Sequence, residues 1–443
     1  MPEAAQFDAL TAEFYEGWLH YHPDLALRAG VPVAGRLLPV PEDEDLVGLK
    51  GWLEELLLGL DEIAFDGLDA DRQLDWELLA GAARVEHREL SCGDWRRRDP
   101  LGYLPIATLE WLTGAPDAAP RGTLARLLGD LPEHLRRAQV QLRAAAPGPA
   151  PLLVRVAARE AQRACDHLRA LARGPRPHRD GDGQAGLAAP LASAAAALAG
   201  YHHFLTDELA PRARGVLGRG VEHLGLRLRE VHFIDCDPAA GCEPITRALE
   251  RAQAALSEAD ATAVGGQAPL PADGGYHLAA IDPAGGHRLP RRFANDASWA
   301  QGWQLYLRRR GAEGAPGGAP APGSRLAAPG ELLLLGGLDL DLQRGRIDGE
   351  QALASLARLG LEGPAAEARV AQLARHPGDA LAGVLGWRLL EQVRDRQGVG
   401  AGLAAPAWPA LLASYGAIPL PLMLRYGLGQ APWQAAWDAV LGT

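Results

Sequence analysis

Apolar residues recur every three or four positions along most of the chain, which is the spacing of amphipathic α-helices. The first such stripe begins near Phe7 and stops near His22 and Pro23, so the pattern predicts an opening helix that ends there. Similar stripes follow over Leu46–Leu60 and Leu152–Leu171, and the C-terminal third repeats the pattern. We therefore expect an all-α fold, or nearly so, with at most one short strand pair.

Breaks in this pattern predict how the chain is divided. The segment VHFIDCD, residues 231–237, is the best strand candidate. Residues 173–186 and 311–330 are rich in Pro, Gly and Ala or charge and lack periodicity, which is typical of loops or joints. We expect an N-terminal helical part over residues 1–175 and a C-terminal helical part over residues 187–443, packed as one compact unit around a central cleft.

Composition narrows the class of protein. With 443 residues and 48% hydrophobic content, the chain can bury a large core. A formal net charge of -11 leaves no electropositive surface for a phosphate backbone, so nucleic acid is not an expected partner. No apolar run is long enough to span a bilayer, the first residues lack the pattern of a signal peptide, and there are four cysteines. These features predict a cytoplasmic protein without a membrane partner.

The sequence lacks the motifs of several common enzyme classes. The one lysine, Lys50, lies in GLKGWLEEL, which is neither a phosphate-binding loop nor a context for a Schiff base. The sequence contains neither GxSxG nor HExxH. No cofactor is therefore expected.

Chemically capable residues are densest between His277 and Tyr306. This stretch collects His, Asp, Asn and Gln beside Trp299, Trp303 and Tyr306. Pro283, Gly285, Gly286 and Pro290 fall in its first half, and they lower the chance that a regular helix presents the polar groups together. We take the stretch as the primary candidate site. Its polar members are His277, Asp282, His287, Asn295, Asp296 and Gln301.

Other polar groups have simpler interpretations. The segment from His232 to Cys242 lacks the paired CxxC spacing of zinc ribbons, so a strand and turn with buried cysteines is the default. His202 and His203 lie in a helix predicted to cross the core, where one of them could reach a cleft. The run Arg96–Arg98 predicts a solvated helix face.

Six segments occur in an order that carries a resemblance to a known family. They are FYEGWLHYHPDLALRAG, LPEHLRRAQVQL, YHHFLTDELAPRARGVLG, QGWQLYLRR, RHPGDALAGVLGWRLLEQVR and GAIPLPLM. From about Phe7 to about Leu424 the chain resembles the bacterial domain-of-unknown-function 885 family, whose members are similar to helical zinc metallopeptidases and related to the thermostable carboxypeptidases. The resemblance implies a metallopeptidase-like helical fold with a central cleft.

The zinc motifs of that family are degenerate in this chain. The family carries HEAxPGHH on one helix and EGWALY on another, and a zinc ion with a bound water is expected between them. By resemblance, IDPAGGHR occupies the first motif, with Ile281 and Asp282 in place of its first His and Glu. Gln301 replaces the Glu of the second motif. The closing residues of the first motif fall on His287 and Arg288, and the residues that match the second are Gly302, Trp303, Leu305 and Tyr306.

Two supporting positions are also changed. The family's Asp-x-Gly-Leu-His segment resembles Asp339 to Gln343, where Gln343 replaces the histidine, and a tyrosine expected in the family falls on Gly383. An amide binds zinc poorly. The resemblance therefore implies that the metal site is lost while the helical framework persists.

Three hypotheses follow for function. The first is a zinc-free cleft that binds a small molecule or a peptide and runs acid/base chemistry in a biosynthetic pathway, with Asp282 and His287 as catalytic residues. The second is a non-catalytic pseudoenzyme that partners an active enzyme. The third is an active zinc peptidase with ligands relocated to other histidines. The residues predicted to bind the ligand are Gln301, Trp303, Tyr306, His202 and Arg288.

Simpler roles stay open for the same residues. His287 could be a hydrogen-bonded histidine in a Gly-rich turn, and Asp282 could be an N-cap before Pro283. Trp303 and Tyr306 could be core residues at helical spacing.

Overall fold

The computed structural model describes residues 3–33, 35–114, 122–173, 187–235, 242–254, 286–294, 296–306, 329–397 and 414–442. Within these ranges the protein is helical and contains no strand, which confirms the prediction of an all-α fold. No helix in the described ranges has both the length and the apolar character needed to cross a membrane.

The helices before residue 175 form the first part of the architecture. They are α1 (Glu3–Tyr21), α2 (Pro23–Arg28), α3 (Asp43–Asp61), α4 (Ala70–Cys92), α5 (Trp95–Arg98), α6 (Ile106–Gly114), α7 (Thr123–Arg143) and α8 (Pro151–Arg173).

The helices after residue 187 complete it. They are α9 (Ala188–His203), α10 (Val221–Glu230), α11 (Glu243–Ala254), α12 (Leu289–Phe293), α13 (Pro329–Gln343), α14 (Gly349–Ala357), α15 (Gly363–Arg375), α16 (Asp379–Gln397), α17 (Leu420–Leu428) and α18 (Gln430–Leu441). Two π-helical turns, Phe204–Leu209 and Ser298–Trp303, lie among them.

Local sequence signals set several helix ends. Helix α1 stops where predicted, because Pro23 opens α2 at a position that needs no backbone N–H. The Asp69 side chain accepts from the backbone N–H of Arg72 at 2.9 Å and so caps the start of α4. Asp348 and Gln351 form a reciprocal capping box at the start of α14. These residues determine helix boundaries without help from distant contacts.

The main hydrophobic core draws on both parts of the chain. Buried residues of α7 and α8, such as Leu135 and Leu168, belong to the same apolar cluster as Leu198 of α9 and Val370 of α15. Trp387 of α16, which is fully buried, closes this cluster. A second cluster lies around α16 and α18, and a third joins α1, α3 and α4.

The strand predicted over residues 231–237 is not present in its described portion, residues 231–235. The backbone N–H of His232 donates to Arg227 O at 3.2 Å, and that of Ile234 donates to Leu228 O at 2.8 Å. Phe233 adopts a left-handed φ of 54°. These bonds wrap the chain back over the C-terminus of α10, so the segment ends a helix where a strand was predicted.

Candidate functional site

The predicted site stretch is described in two pieces, residues 286–294 and 296–306. His277, Ile281, Asp282 and Asn295 lie outside the described residues. The proposed pairing of Asp282 with His287 therefore stays a prediction. The imidazole of His287 lies against Gly416, where an added Cβ would come within 3.1 Å of His287 Cδ2.

Arg288 is engaged with carboxylates of the N-terminal helices. Its Nε lies 2.6 Å from Asp75 Oδ2, and its Nη2 pairs with Asp8. Arg291 donates to the other Asp75 oxygen at 2.8 Å. Asp75 is completely buried, and burial raises its pKa although both arginines oppose the shift. Arg288 and Arg291 thus fasten α12 to α4.

Gln301 faces helix α16 at very short range. A Cβ added to Gly383 would lie 2.8 Å from Gln301 Oε1, so the missing side chain at position 383 provides the space that the Gln301 amide occupies. The neighbouring Gly302 packs on the α16 backbone, where its own Cβ would lie 2.7 Å from Trp387 N. Glycines thus allow the π-helical turn and α16 to approach closely.

The aromatic residues of the stretch pack on each other. The rings of Trp303 and Tyr306 stack with centroids 5.5 Å apart and planes 20° from parallel. Both rest on an apolar cluster that includes Leu78, Leu390 and Met423. His202 lies elsewhere, with Nδ1 2.8 Å from the carbonyl oxygen of Ala158 in α8.

A buried ionic network lies beside this stretch. His232 is 1% exposed, and its Nδ1 hydrogen-bonds Asp296 while its Nε2 lies 3.3 Å from Asp379 Oδ1. Burial by itself would lower the pKa of His232, but the two carboxylates raise it to about 9. Asp296 also accepts from the backbone N–H of Ser298 at 2.7 Å and so fixes the start of the π-helical turn.

The two positions on α13 that resemble a family motif have structural partners. Asp339 is fully buried and accepts from the backbone N–H of Gly378 at 2.7 Å. Burial, reinforced by the nearby Asp379 carboxylate, raises the pKa of Asp339 to about 8. The Oε1 atom of Gln343 accepts from Arg219 N at 2.7 Å.

A cavity of about 860 Å³ lies between the N-terminal helices and the junction of α15 with α16. Its size falls in the range of small-molecule sites, roughly 300–1,000 Å³. The ends of α1 and α4, helix α3, the loops around residues 37–41, 99–105, 145–150 and 215–219, and residues 374–376 contribute to the wall. His287, Arg288, Gln301, Trp303, Tyr306 and His202 are not among the residues that line it.

Glu89 anchors a charged cluster on the cavity wall. Arg219 donates to both Glu89 oxygens, at 2.7 and 2.5 Å, and His223 Nε2 lies 3.2 Å from Glu89 Oε1. Burial would raise the pKa of Glu89, but these hydrogen bonds lower it to about 2. The Glu89 carboxylate is therefore ionised at neutral pH.

Two histidines of the wall differ in electrostatic setting. His22 Nε2 lies 3.7 Å from Glu86 Oε1; burial opposes protonation, but the carboxylate raises the pKa of His22. His134 is held between the carbonyl oxygens of Tyr103 and Leu38, at 3.0 and 3.2 Å. Burial lowers the pKa of His134.

The prediction of a solvated face for Arg96–Arg98 was wrong for Arg96. Arg96 is 1% exposed and donates to Asp94 at 2.9 Å and to Pro41 O at 2.6 Å. Arg98 lines the cavity. The acidic neighbours of this run, Asp94 and Asp99, were the available sequence signal, because paired carboxylates make buried arginine tolerable.

Sequence reasoning did not identify Glu89, Arg98, Arg219 or Arg375 as candidate site residues, although all four line the cavity. They come from segments separated by tens to hundreds of positions, and each looks like an ordinary surface charge in its local sequence. No local motif could have found them.

In the described ranges, no three His, Cys, Asp or Glu side chains are grouped so that they could hold a metal ion. Two positions that the family resemblance gives to zinc-site residues carry the amides of Gln301 and Gln343, which are poor zinc ligands. These donors do not fit the family's zinc site.

No family model and no curated protein matches the chain. Solved structures do. A protein of unknown function from Shewanella oneidensis, provisionally classed as a lipoprotein, has a TM-score of 0.63 and 13% identity over 95% of this chain and 99% of its own. A protein from Colwellia psychrerythraea with the same provisional class has a TM-score of 0.62 and 14% identity over 99% of this chain and 100% of its own. At such identities the likeness extends to the fold alone.

Proposed function

We propose that this protein binds a small molecule or a short peptide in the cavity of about 860 Å³, without a zinc centre. The observation that carries the proposal is the lining. Apolar side chains such as Leu49 and Leu153 share the wall with ionised pairs such as Glu89 and Arg219. A mostly apolar concavity with a few fixed polar groups is the usual form of a ligand site.

The resemblance to zinc metallopeptidases supports a repurposed scaffold. Gln301 and Gln343 replace groups that a peptidase of that family would use, and both amides have protein neighbours in the fold. Metal-independent acid/base chemistry in a biosynthetic pathway remains part of the proposal. Its candidates from the sequence are Asp282, which lies outside the described residues, and His287, which does not line this cavity. Two of the histidines on the cavity wall, His22 and His134, are additional candidates for proton transfer.

A filled cavity provides the test. Leu49 lies half-buried on α3 and lines the cavity, whereas Leu58 on the same helix is 65% exposed and does not. Native mass spectrometry of gently purified protein, with extraction of bound molecules, should detect a co-purifying ligand in the natural protein. Leu49→Trp should lose it, because the indole occupies cavity volume, and Leu58→Trp should retain it.

Equal ligand content in the two tryptophan variants would contradict the proposal. A pseudoenzyme that acts only through a protein partner would show no small ligand in any of the three proteins. About one tightly held zinc ion per chain in the same preparations would instead support the peptidase alternative.

The cytoplasm remains the compartment proposed from the sequence. Two observations favour an oxidising compartment instead. Cys242 is disulfide-bonded, and disulfides persist mainly outside the reducing cytosol. The two similar structures are provisionally classed as lipoproteins. Fractionation of producing cells, with thiol alkylation at lysis, separates the two locations.

A further inference from the structure

Arginines gather at one end of the cavity, where the 99–105 loop meets the 215–219 loop and the end of α15. Arg98, Arg219 and Arg375 all line this end. Two contacts place them together. Arg375 donates to Asp99, the residue that follows Arg98, at 2.6 Å, and Arg98 Nη2 lies 3.5 Å from the carbonyl oxygen of Gly218, the residue before Arg219.

The carboxylates at this end do not balance the arginines. Glu89 is taken by Arg219 through two hydrogen bonds and is also shared with His223. Asp99 is taken by Arg375 Nε and by the backbone N–H of Leu101 at 3.0 Å. Within the described part of the chain, Arg98 has no carboxylate at ion-pair distance, and its weak contact to Gly218 leaves most of its donors open.

Neighbouring charges reinforce the imbalance. Burial lowers the pKa of Arg98, and the positive charge of Arg219 lowers it further, whereas the nearby carboxylates of Glu89 and Asp99 oppose the shift without cancelling it. This guanidinium is therefore partly desolvated. Arg375 is 13% exposed, and its buried Nη1 has no hydrogen-bond partner among the described residues. Three guanidinium groups thus face two carboxylates, which leaves about one positive charge uncompensated at this end of the cavity.

The apolar residues of the cavity wall favour an organic anion over a small inorganic anion. The same cavity wall includes the apolar side chains Leu101, Leu104, Leu153 and Leu217. Partly desolvated guanidinium groups bind carboxylate, phosphate or sulfonate oxygens through charge-assisted hydrogen bonds, and apolar walls add affinity for a hydrocarbon body. A small inorganic ion would use the first feature and leave the second unused.

We infer that the cavity binds an amphipathic organic anion, with its oxyanion group on Arg98 at the end formed by Arg98, Arg219 and Arg375 and its apolar body along the leucine wall. This inference rests on the proposed cavity-binding function and names the class of its ligand. Arg98 is the residue that contacts the ligand, and Glu89 and Asp99 hold the other two arginines in place.

Two fluorescent probes with the same body test it. Anilinonaphthalene sulfonate carries a sulfonate, and N-phenyl-1-naphthylamine is its uncharged counterpart. We expect the natural protein to bind the sulfonate probe more tightly. Arg98→Gln should weaken sulfonate-probe binding about ten-fold or more, since a hydrogen bond to a charged group contributes on the order of ten-fold or more in affinity. Binding of the uncharged probe should be unchanged.

Matched variants control for charge and folding. Arg136→Gln removes one positive charge from α7 at a residue that is 65% exposed and does not line the cavity, and it should leave both probes unaffected. Arg98→Lys keeps the charge but not the planar fork, and it should lose less affinity than Arg98→Gln. Thermal unfolding midpoints within a degree or two of the natural protein establish that each variant is folded.

Three outcomes would overturn the inference. The first is equal affinity of the natural protein for both probes, and the second is equal loss in Arg98→Gln and Arg136→Gln. The third is displacement of the sulfonate probe by inorganic phosphate as efficiently as by decanoate, which would mean that the apolar wall contributes nothing. In any of these three cases, the proposed cavity-binding function would still stand if Leu49→Trp weakens binding of the uncharged probe. Failure of both probes, with no effect of Leu49→Trp, would remove the proposed function as well.

Discussion

Buried ionic residues in this protein depend on partners that are distant in the chain. His232 is held by Asp296 and Asp379, and Asp75 is held by Arg288 and Arg291. A buried charge without a partner costs several kcal/mol, so each of these groups requires the others to be in place. For His232 the pKa is raised in the folded state, so its stabilising contribution is complete below about pH 6.5 and is lost as the pH rises through about 9.

Asp339 predicts a measurable pH dependence of stability. Its pKa rises from an ordinary 3.8 to about 8 on folding, so the folded state keeps a proton that the unfolded chain loses. Stability therefore falls as the pH rises from about 4 to about 8. An asparagine at position 339 cannot ionise, so the Asp339→Asn variant does not lose stability in this way. The free energy of unfolding of Asp339→Asn, relative to the natural protein, should increase across this range in urea titrations and level off above pH 8.

A constant difference between the two proteins from pH 5 to pH 9 would contradict this pKa. Asp341→Asn is the matched control, because Asp341 lies on the same helix with its side chain 41% exposed and paired with Arg346. Its effect on stability should vary little with pH over the same range.

At the level of elements, the π-helical turn Ser298–Trp303 and helix α16 show how composition permits close packing. Gly302, Gly383 and Gly386 lie where a Cβ would come within about 3 Å of the opposing element. Gly302 follows Gln301 in the sequence, Gly383 faces the Gln301 side chain, and Gly386 precedes the buried Trp387. The contact therefore requires small residues on both elements.

Gly302→Ala should destabilise the protein by about 1–3 kcal/mol, because its Cβ would lie 2.7 Å from Trp387 N and 3.0 Å from Gly383 O, which are backbone atoms that cannot move aside alone. Gly337→Ala on α13 is the control. No atom lies within 4 Å of its added Cβ, and the substitution should be neutral or stabilising by up to about 1 kcal/mol, as expected for Gly→Ala in a helix. Chemical denaturation of both variants measures the contrast. Equal effects would mean that this close contact is not rigid.

Helix α12 illustrates an element that its own sequence could not have maintained. It spans five residues, too few for an isolated helix, and it contains Pro290. Asp75 and Asp71 of α4 both accept hydrogen bonds from Arg291. Phe293 stacks on Tyr15 of α1 with ring centroids 5.3 Å apart. Tertiary contacts from two helices thus hold α12 in position.

At the scale of the whole molecule, the shared core determines whether residues 1–175 and 187–443 unfold together or separately. The main apolar cluster contains residues from before position 175 and from after position 187, such as Leu135 and Val370. Neither part could bury its share of this cluster alone.

We therefore expect one cooperative unfolding transition. Calorimetry should give a single heat-absorption peak, and circular dichroism and tryptophan fluorescence should report the same midpoint. Tryptophans report on both parts, since Trp52 lies in α3 and Trp387 in α16. Two separated transitions would show that residues 1–175 and 187–443 are independent folding units.

The candidate site shows where sequence reasoning reaches its limit. The stretch from His277 to Tyr306 stands out because its polar and aromatic residues interrupt a chain rich in Ala and Leu. Its role as a functional site stays a prediction. The cavity could not be located in that way. Its charged residues, among them Glu89, Arg98, Arg219 and Arg375, lie on separate helices and loops with no shared local pattern.

The sequence by itself determined the all-α class and several helix ends, because apolar periodicity, capping side chains and proline act over a few residues. Only the tertiary structure decided which charges are buried and which share a cavity wall. The segment after α10 shows the difference. Its local sequence made it the best strand candidate, whereas backbone hydrogen bonds to Arg227 and Leu228 make it the end of a helix. Periodicity reports which faces of an element are buried, whereas the meeting of distant side chains depends on how all the elements pack.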